Sequence, residues 1–178
     1  MSTIRVNGLT VACDVAGSGP PLILLHGATG SGPTHMGGLQ RVLGERFTAY
    51  APDARGHGGT RWDAAAGVRT SDLVADVLAL ADALDLATFH LLGYSMGGMT
   101  ALTLAAHHGA RLRSLVALSI ATEREPRLAI GRALMDVPRI ERDDPAWAAS
   151  LAARHDPVQG PDAWRRLLPA IVRDIADQ

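Results

Sequence analysis

The residues best placed to do chemistry lie in Leu91-Leu92-Gly93-Tyr94-Ser95-Met96-Gly97-Gly98, where one serine stands between glycines two positions before and two after it. An apolar run ends at Gly93 and an alanine- and leucine-rich segment begins at once, so a strand is expected to turn directly into a helix. Such a turn forces the intervening residue into a strained backbone and holds its side chain out at the tip. The flanking glycines are required because a Cβ there would meet the neighbouring strand or helix. The hydroxyl then sits above a helix N-terminus, whose amides and dipole favour negative charge. That is a setting for an alkoxide nucleophile and an oxyanion. A plain Gly/Ser turn would leave the same short pattern, and it is the strand-then-helix context that favours the nucleophile reading.

Other residue types narrow the chemistry by exclusion. All 17 basic residues are Arg, so Schiff-base catalysis and a Ser-Lys dyad are ruled out. Cys13 is the single cysteine, falls in an expected strand and reads as packing, and no intrachain disulfide can form. The seven histidines show no H-E-x-x-H or comparable ligand spacing, and adjacent His107-His108 point to different faces at a helix end, so no metal site is expected. His26 and His57 lie in loops where they are expected to brace backbone, and Asp53 and Arg55 to hold their loop together as an ion pair. Glycines 27, 30, 32, 37 and 38 carry neither G-K-[ST] nor G-x-G-x-x-G after a strand, so no nucleotide or other cofactor is expected.

The elements that must position Ser95 follow from periodicity. At 178 residues the chain fits about one domain, and a net charge of -1 argues against nucleic-acid or anionic-membrane partners. It shows no export signal and no apolar run of about 18 residues, so no membrane span is expected and a cytoplasmic location follows by default. Ile4–Val6 and Leu9–Val15 flank Asn7-Gly8, a tight-hairpin dipeptide. Pro21–Leu25 reads as a buried strand, followed by a Gly-rich loop from Ala28 to Gly38 and a helix over Leu39–Glu45. Phe47–Ala51 is a strand, Asp72–Leu84 a helix that Thr70 or Ser71 can cap, Thr88–Leu92 a strand, Met96–His108 a helix and Ser114–Ile120 a strand. The alternation predicts an α/β fold: a mostly parallel sheet of about six strands with helices on both faces.

Three motifs in order, Leu24-Leu25-His26-Gly27, Asp53-Ala54-Arg55-Gly56-His57-Gly58-Gly59-Thr60 and Gly93-Tyr94-Ser95-Met96-Gly97-Gly98, give the sequence its resemblance to the α/β-hydrolase fold superfamily. The likeness covers roughly residues 3 to 122. It implies Ser95 as nucleophile and an oxyanion hole from the backbone amides of Met96 and Ala28, each worth about 3 kcal/mol to a tetrahedral oxyanion. Serine at 95 does not match the aspartate or cysteine nucleophiles of related dehalogenases, epoxide hydrolases and dienelactone hydrolases.

After Ile120 the character changes, and the chain is expected to divide into a core over 1–122 and a helical cap segment over 123–178. Helices are expected near Arg127–Met135, Pro145–Arg154 and Pro161–Ala176, with Pro169 kinking the last. Such a cap would exclude water and shape the pocket, to which Gly27, Tyr94, Trp147 and Trp164 are expected to contribute. The resembled family carries its triad acid and histidine on strands seven and eight, for which this sequence shows no counterpart. Glu123 or Glu125 with His155 is the replacement pair the chain order allows. The expected sixth strand would then be an uncovered apolar edge, paired by a second copy or a companion chain, unless the sequence is part of a longer hydrolase. Two functions stay open: a serine hydrolase of small esters, lactones or thioesters, and a non-catalytic or non-hydrolytic module that binds a small apolar molecule.

Overall fold

In the computed structural model, which describes residues 2–63 and 66–177, Asn7 and Gly8 both take positive φ, 48° and 76°. This is the mirror-image turn that an Asn-Gly pair favours. Met1, Ala64, Ala65 and Gln178 lie outside the described residues. The strands are β1 (Ser2–Val6), β2 (Leu9–Ala16), β3 (Pro21–Leu25), β4 (Thr48–Pro52), β5 (Phe89–Tyr94) and β6 (Leu112–Leu118). They form one six-stranded sheet in the order β1-β2-β4-β3-β5-β6. The β1–β2 and β2–β4 pairs are antiparallel and the other three are parallel.

The continuous apolar run of β3 is explained by burial on both faces. Leu22 and Leu24 pack with Met36, Ala49 and Leu92 on one side. Ile23 and Leu25 face the opposite way, into Val77, Ala81, Phe89 and Leu104. The helices of the sheet region are α1 (Gly37–Leu43), α2 (Thr70–Ala83) and α3 (Met96–His108). The Gly-rich loop turns helical earlier than Leu39: a wide helical turn spans Gly32–Met36 and runs into α1. Ser31 and Thr34 cap it reciprocally, Pro33 occupies its first turn, and a Cβ on Gly32 would stand 2.4 Å from the Ala51 carbonyl oxygen. α2 also begins early. Its first residue, Thr70, gives its amide and hydroxyl to Asp174, at 3.1 and 2.9 Å, so a distant carboxylate caps the helix rather than Thr70 or Ser71.

Four helices follow β6: α4 (Arg124–Leu134), α5 (Val137–Asp143), α6 (Pro145–Gln159) and α7 (Ala163–Asp177). The sequence reading omitted α5, and α6 and α7 continue through Pro157 and Pro169. They close on a core of Leu151, Trp164, Leu167, Leu168 and Ile171, against which Ala28, Ala54 and Met96 also pack. The helical layer therefore rests on the loops at the carboxyl ends of the strands. No described helix is long and apolar enough to cross a membrane.

Buried histidines fasten those loops. His26 Nε2 accepts the Ala54 amide at 2.9 Å, so its proton is on Nδ1 and is donated to the Gly27 carbonyl at 2.8 Å. His57 places Nδ1 3.0 Å from the Arg55 carbonyl and Nε2 2.9 Å from the Ala28 carbonyl, and a neutral ring donates to one of them at a time. His155, from α6, accepts the Gly58 amide on Nδ1 at 3.1 Å. The ring centroids of His26 and His57 are 4.9 Å apart, and those of His57 and His155 are 5.5 Å apart. The expected Asp53–Arg55 pair does not form. Asp53 accepts the Gly32 and Gly59 amides, while Arg55 makes a two-pronged contact with Asp76 on α2 and an ion pair with Asp72. Two backbone amide donors thus took the carboxylate that sequence proximity assigned to arginine.

Two outcomes follow from this packing. Burial pushes the pKa of His26 down to about 4 and those of His57 and His155 to about 3, and nearby His35 and Arg154 oppose any charge on the stack. Unfolded histidine takes a proton near pH 6.5. Stability is therefore complete above that value and is lost as pH falls from about 6.5 toward the folded values, with a limiting slope of roughly 4 kcal/mol per pH unit for three protons. Urea titrations from pH 8 to 4.5 should show a flat region and then this decline; an uptake below one proton on unfolding would contradict the stacked neutral arrangement. Separately, β6 is the sheet's last strand, with Val116 44% and Leu118 41% exposed. An uncovered apolar edge templates pairing. Light scattering should find concentration-dependent association that Val116→Lys suppresses, whereas a monomer at all concentrations would refute it.

Candidate active site

Ser95 takes φ 54° and ψ −114°, outside the regions open to ordinary L-residues, at the junction of β5 and α3. The backbone is held there from both sides. The Ser95 amide donates to the Leu118 carbonyl at 2.9 Å, and its carbonyl accepts the Met99 amide at 2.9 Å. A Cβ on Gly93 would stand 2.1 Å from the Gly97 carbonyl oxygen, and one on Gly97 would stand 2.4 Å from the Leu25 carbonyl oxygen. The glycine spacing is thus imposed by backbone passing backbone. Ser95 itself is half-buried and lines a cavity of about 190 Å³.

Two peptide units converge on that cavity. The carbonyl of Gly27 is pinned by His26 Nδ1 and by the Gly30 amide at 3.0 Å. The N–H of a trans peptide points opposite to its C=O. Fixing the Gly27 oxygen therefore aims the Ala28 amide away from His26. The Ser95 carbonyl, held by Met99, aims the Met96 amide by the same geometry. Neither amide donates a hydrogen bond among the described residues. Ala28 and Met96 line the cavity together with Ser95. Close approach of the two loops depends on Gly27, whose Cβ would lie 3.0 Å from the Tyr94 ring and 3.3 Å from Ser95 Cβ.

Of the residues singled out in the sequence, Gly27, Ala28, Tyr94, Ser95 and Met96 come together here. The others do not. His155 is fully buried in the histidine stack, with Nδ1 already an acceptor, and is outside the cavity lining. Glu123 is exposed ahead of α4, and Glu125 is exposed in its first turn beside Arg124. Trp164 is the largest side chain of the helical layer's core, and Trp147 packs against that core. The tryptophans were apolar enough to line a pocket, but the same property seals Trp164 inside the helical core and lays Trp147 against it.

His35 was not anticipated. It lies in the cavity lining, its ring edge-on to Tyr94 with centroids 5.6 Å apart. Its Nδ1 accepts the Gly27 amide at 3.2 Å, so the ring carries its proton on Nε2. Burial, then Arg154, lowers its pKa. Room for the ring exists because residue 30 is glycine: a Cβ would stand 2.2 Å from His35 Nδ1. The roof was missed as well. It comes from α4, its C-terminal cap and α7, where Ile130, Leu134, Met135, Ile171 and Ile175 supply apolar surface. Spacing of three and four residues marks these faces in the sequence, but not what they look onto. Among the described residues no cluster of three or more His, Cys, Asp or Glu side chains is arranged to hold a metal ion.

Comparison with known proteins agrees with this architecture. The family model described as alpha/beta hydrolase fold matches residues 20–157. A pyrrolizixenacetamide deacetylase from Xenorhabdus hominickii is 31% identical over 118 residues, 66% of this chain and 44% of that protein. A fluoroacetate dehalogenase from Burkholderia sp is 32% identical over 124 residues, 66% of this chain and 40% of its own length. The crystal structure of the enol-lactonase from Burkholderia xenovorans LB400 superposes with a TM-score of 0.68 at 24% identity, over 97% of this chain and 73% of that one. The chain thus spans about two fifths of the curated relatives it matches. With the sheet order, the strained serine turn and the matched segment in agreement, the chain belongs to the α/β-hydrolase fold family.

Proposed function

We propose that the chain carries the nucleophile and oxyanion hole of a serine hydrolase acting on a small ester, lactone or thioester. The observation that carries this reading is the backbone at Ser95, at φ 54° and ψ −114°, set beside the Ala28 and Met96 amides. Ser95 Oγ attacks the acyl carbonyl and yields its proton to a base, and the two amides receive the tetrahedral oxyanion. Collapse breaks the bond to the alcohol or thiol, which leaves with that proton, and water hydrolyses the acyl-enzyme to the acid and free Ser95. A preset pair of donors costs no reorganisation when charge develops, which is why holding each peptide by its carbonyl matters. A cavity of about 190 Å³ suits a short acyl group. The name of the deacetylase supports acyl chemistry, and serine at 95 supports it over displacement at carbon.

The proton acceptor for Ser95 is not one of the buried histidines: both ring nitrogens of His26 and His57 and Nδ1 of His155 face backbone groups, and none of the three lines the Ser95 cavity. This reading assigns it to a polypeptide segment other than those described here, on this chain or a second one. The same observation favours a second reading, in which the chain binds a small apolar molecule without turning it over.

A fluorophosphonate probe with p-nitrophenyl acetate separates the two. Under the first reading Ser95 is labelled, Ser95→Ala is not, and turnover without a base falls by several orders of magnitude from that of a complete triad. Labelling that persists in Ser95→Ala, or no labelling of the folded wild type, would overturn the nucleophile assignment and leave the binding role.

A further inference from the structure

The charged side chains that line the Ser95 cavity, Arg127 and Asp174, already have partners within the protein. His35 differs. Its Nδ1 is taken by the Gly27 amide at 3.2 Å, so the ring proton is on Nε2, and that N–H has no hydrogen-bond partner among the described residues. The His26 ring, with its centroid 6.5 Å away, offers no acceptor, because both its nitrogens are engaged with backbone. Burial, then the charge of Arg154, lowers the pKa of His35, so the ring is neutral at neutral pH and the guanidinium presents it only donors. The ring is also held in place. His35 sits in the capped turn Gly32–Met36, where its own amide bonds the Ser31 carbonyl at 3.0 Å, and its ring packs against Tyr94.

The cavity is therefore bordered by three N–H groups without partners among the described residues, those of Ala28, Met96 and His35. A tetrahedral oxyanion takes the two amides. The third donor remains, on a half-buried ring beneath a mostly apolar roof. Hydrocarbon laid over it strips away water and leaves the N–H unsatisfied, whereas an acceptor oxygen restores the bond.

We infer that His35 recognises substrate, and that the cavity selects esters or lactones carrying a second, uncharged acceptor oxygen, a keto or ether group, for its Nε2–H. This deepens the reading of Ser95 as nucleophile and rests on it for which carbonyl reacts. The selectivity itself is a property of binding and does not require the hydroxyl to react. A neutral donor offsets the desolvation of a neutral acceptor but not that of a carboxylate.

The test is an NMR titration of the Ser95→Ala protein, in which no ester is consumed, with two pairs of esters similar in shape. Methyl acetoacetate against methyl isovalerate places the extra oxygen on the acyl side, and methoxyethyl acetate against butyl acetate places it on the alcohol side. In the free protein the His35 nitrogens should report the Nε2–H tautomer. Within at least one pair the oxygen-bearing ester is expected to bind about tenfold more tightly and to move the His35 Nε2–H resonance downfield, which its hydrocarbon counterpart does not. His35→Phe in the same background should erase the preference, and His35→Gln, which retains an acceptor and a donor, should keep part of it. Should His35→Phe not unfold cooperatively, the resonance of the unaltered ring decides. An Nδ1–H tautomer, equal affinities within both pairs, a preference that survives His35→Phe, a resonance unmoved by the oxygen-bearing esters or failure of all four esters to bind would each overturn the inference. Because probe labelling reports on Ser95 and not on His35, loss of this selectivity and loss of the nucleophile are separate outcomes.

Discussion

Everything at the site depends on one steric constraint: the chain must turn from β5 into α3 within a single residue, and backbone from three directions crowds that turn. Ser95 is held at a positive φ, which costs a non-glycine residue about 1–3 kcal/mol. The turn persists because the surroundings leave no relaxed alternative. The Gly97 carbonyl occupies the place of a Cβ at 93, the Leu25 carbonyl that of a Cβ at 97, and Ile120 Cγ2 lies 2.6 Å from that of a Cβ at 98. The Gly97 amide also donates to the His26 carbonyl at 3.1 Å, tying the start of α3 to the end of β3. The strained residue and the loop that carries Ala28 are therefore one mechanical unit.

A second layer of the design is electrostatic. The three loop peptides from Gly27 to Thr29 are oriented through their carbonyls, by an imidazole, an amide or a guanidinium. His26 and Gly30 take the Gly27 oxygen, His57 faces that of Ala28, and Arg154 donates to that of Thr29. Buried imidazoles suit this task at neutral pH because they are uncharged, and an uncharged ring costs little to bury. The helical layer takes part, since His155 and Arg154 both come from α6 and both reach the loops below. The loops that border Ser95 and the helices above them are thus tied together through the loop backbone.

The sequence revealed the fold almost entirely, and the physical reason is that its signals are local. The Asn7-Gly8 turn, the unbroken apolar run of β3 and the abrupt Gly93–Gly98 transition each encode structure within a few residues. That Gly27, Ala28, Tyr94, Ser95 and Met96 meet along one cavity was legible for the same reason. What sequence reasoning misassigned depends on distant partners. Asp53 sits two residues from Arg55, yet it turns to the Gly32 and Gly59 amides while Arg55 reaches Asp76. Asp174 caps a helix 104 residues away. Trp164 and His155 have side chains suited to a site, and only the packing of α6 and α7 shows that both are interior. His35 carried a readable clue in Ser31-Gly32-Pro33-Thr34, a helix start inside an expected loop, but its place beside Tyr94 follows only from the way that turn docks on β4.

These differences expose a division between the two halves of the cavity. Its floor is made of peptide groups fixed by backbone collisions and buried imidazoles, which leave little freedom for side-chain change. Its roof is made of helix faces, where one exposed turn of α4 or α7 can change residue with little effect on the sheet. A catalytic constellation needs the first kind of support, because an amide aimed wrongly loses most of its value to an oxyanion. Selectivity needs only the second, since a change of one side chain in the roof alters what fits the cavity. The relatives named above carry out different reactions on one fold, and a floor held by strain beneath a roof held by ordinary helix packing is a physical arrangement that permits it.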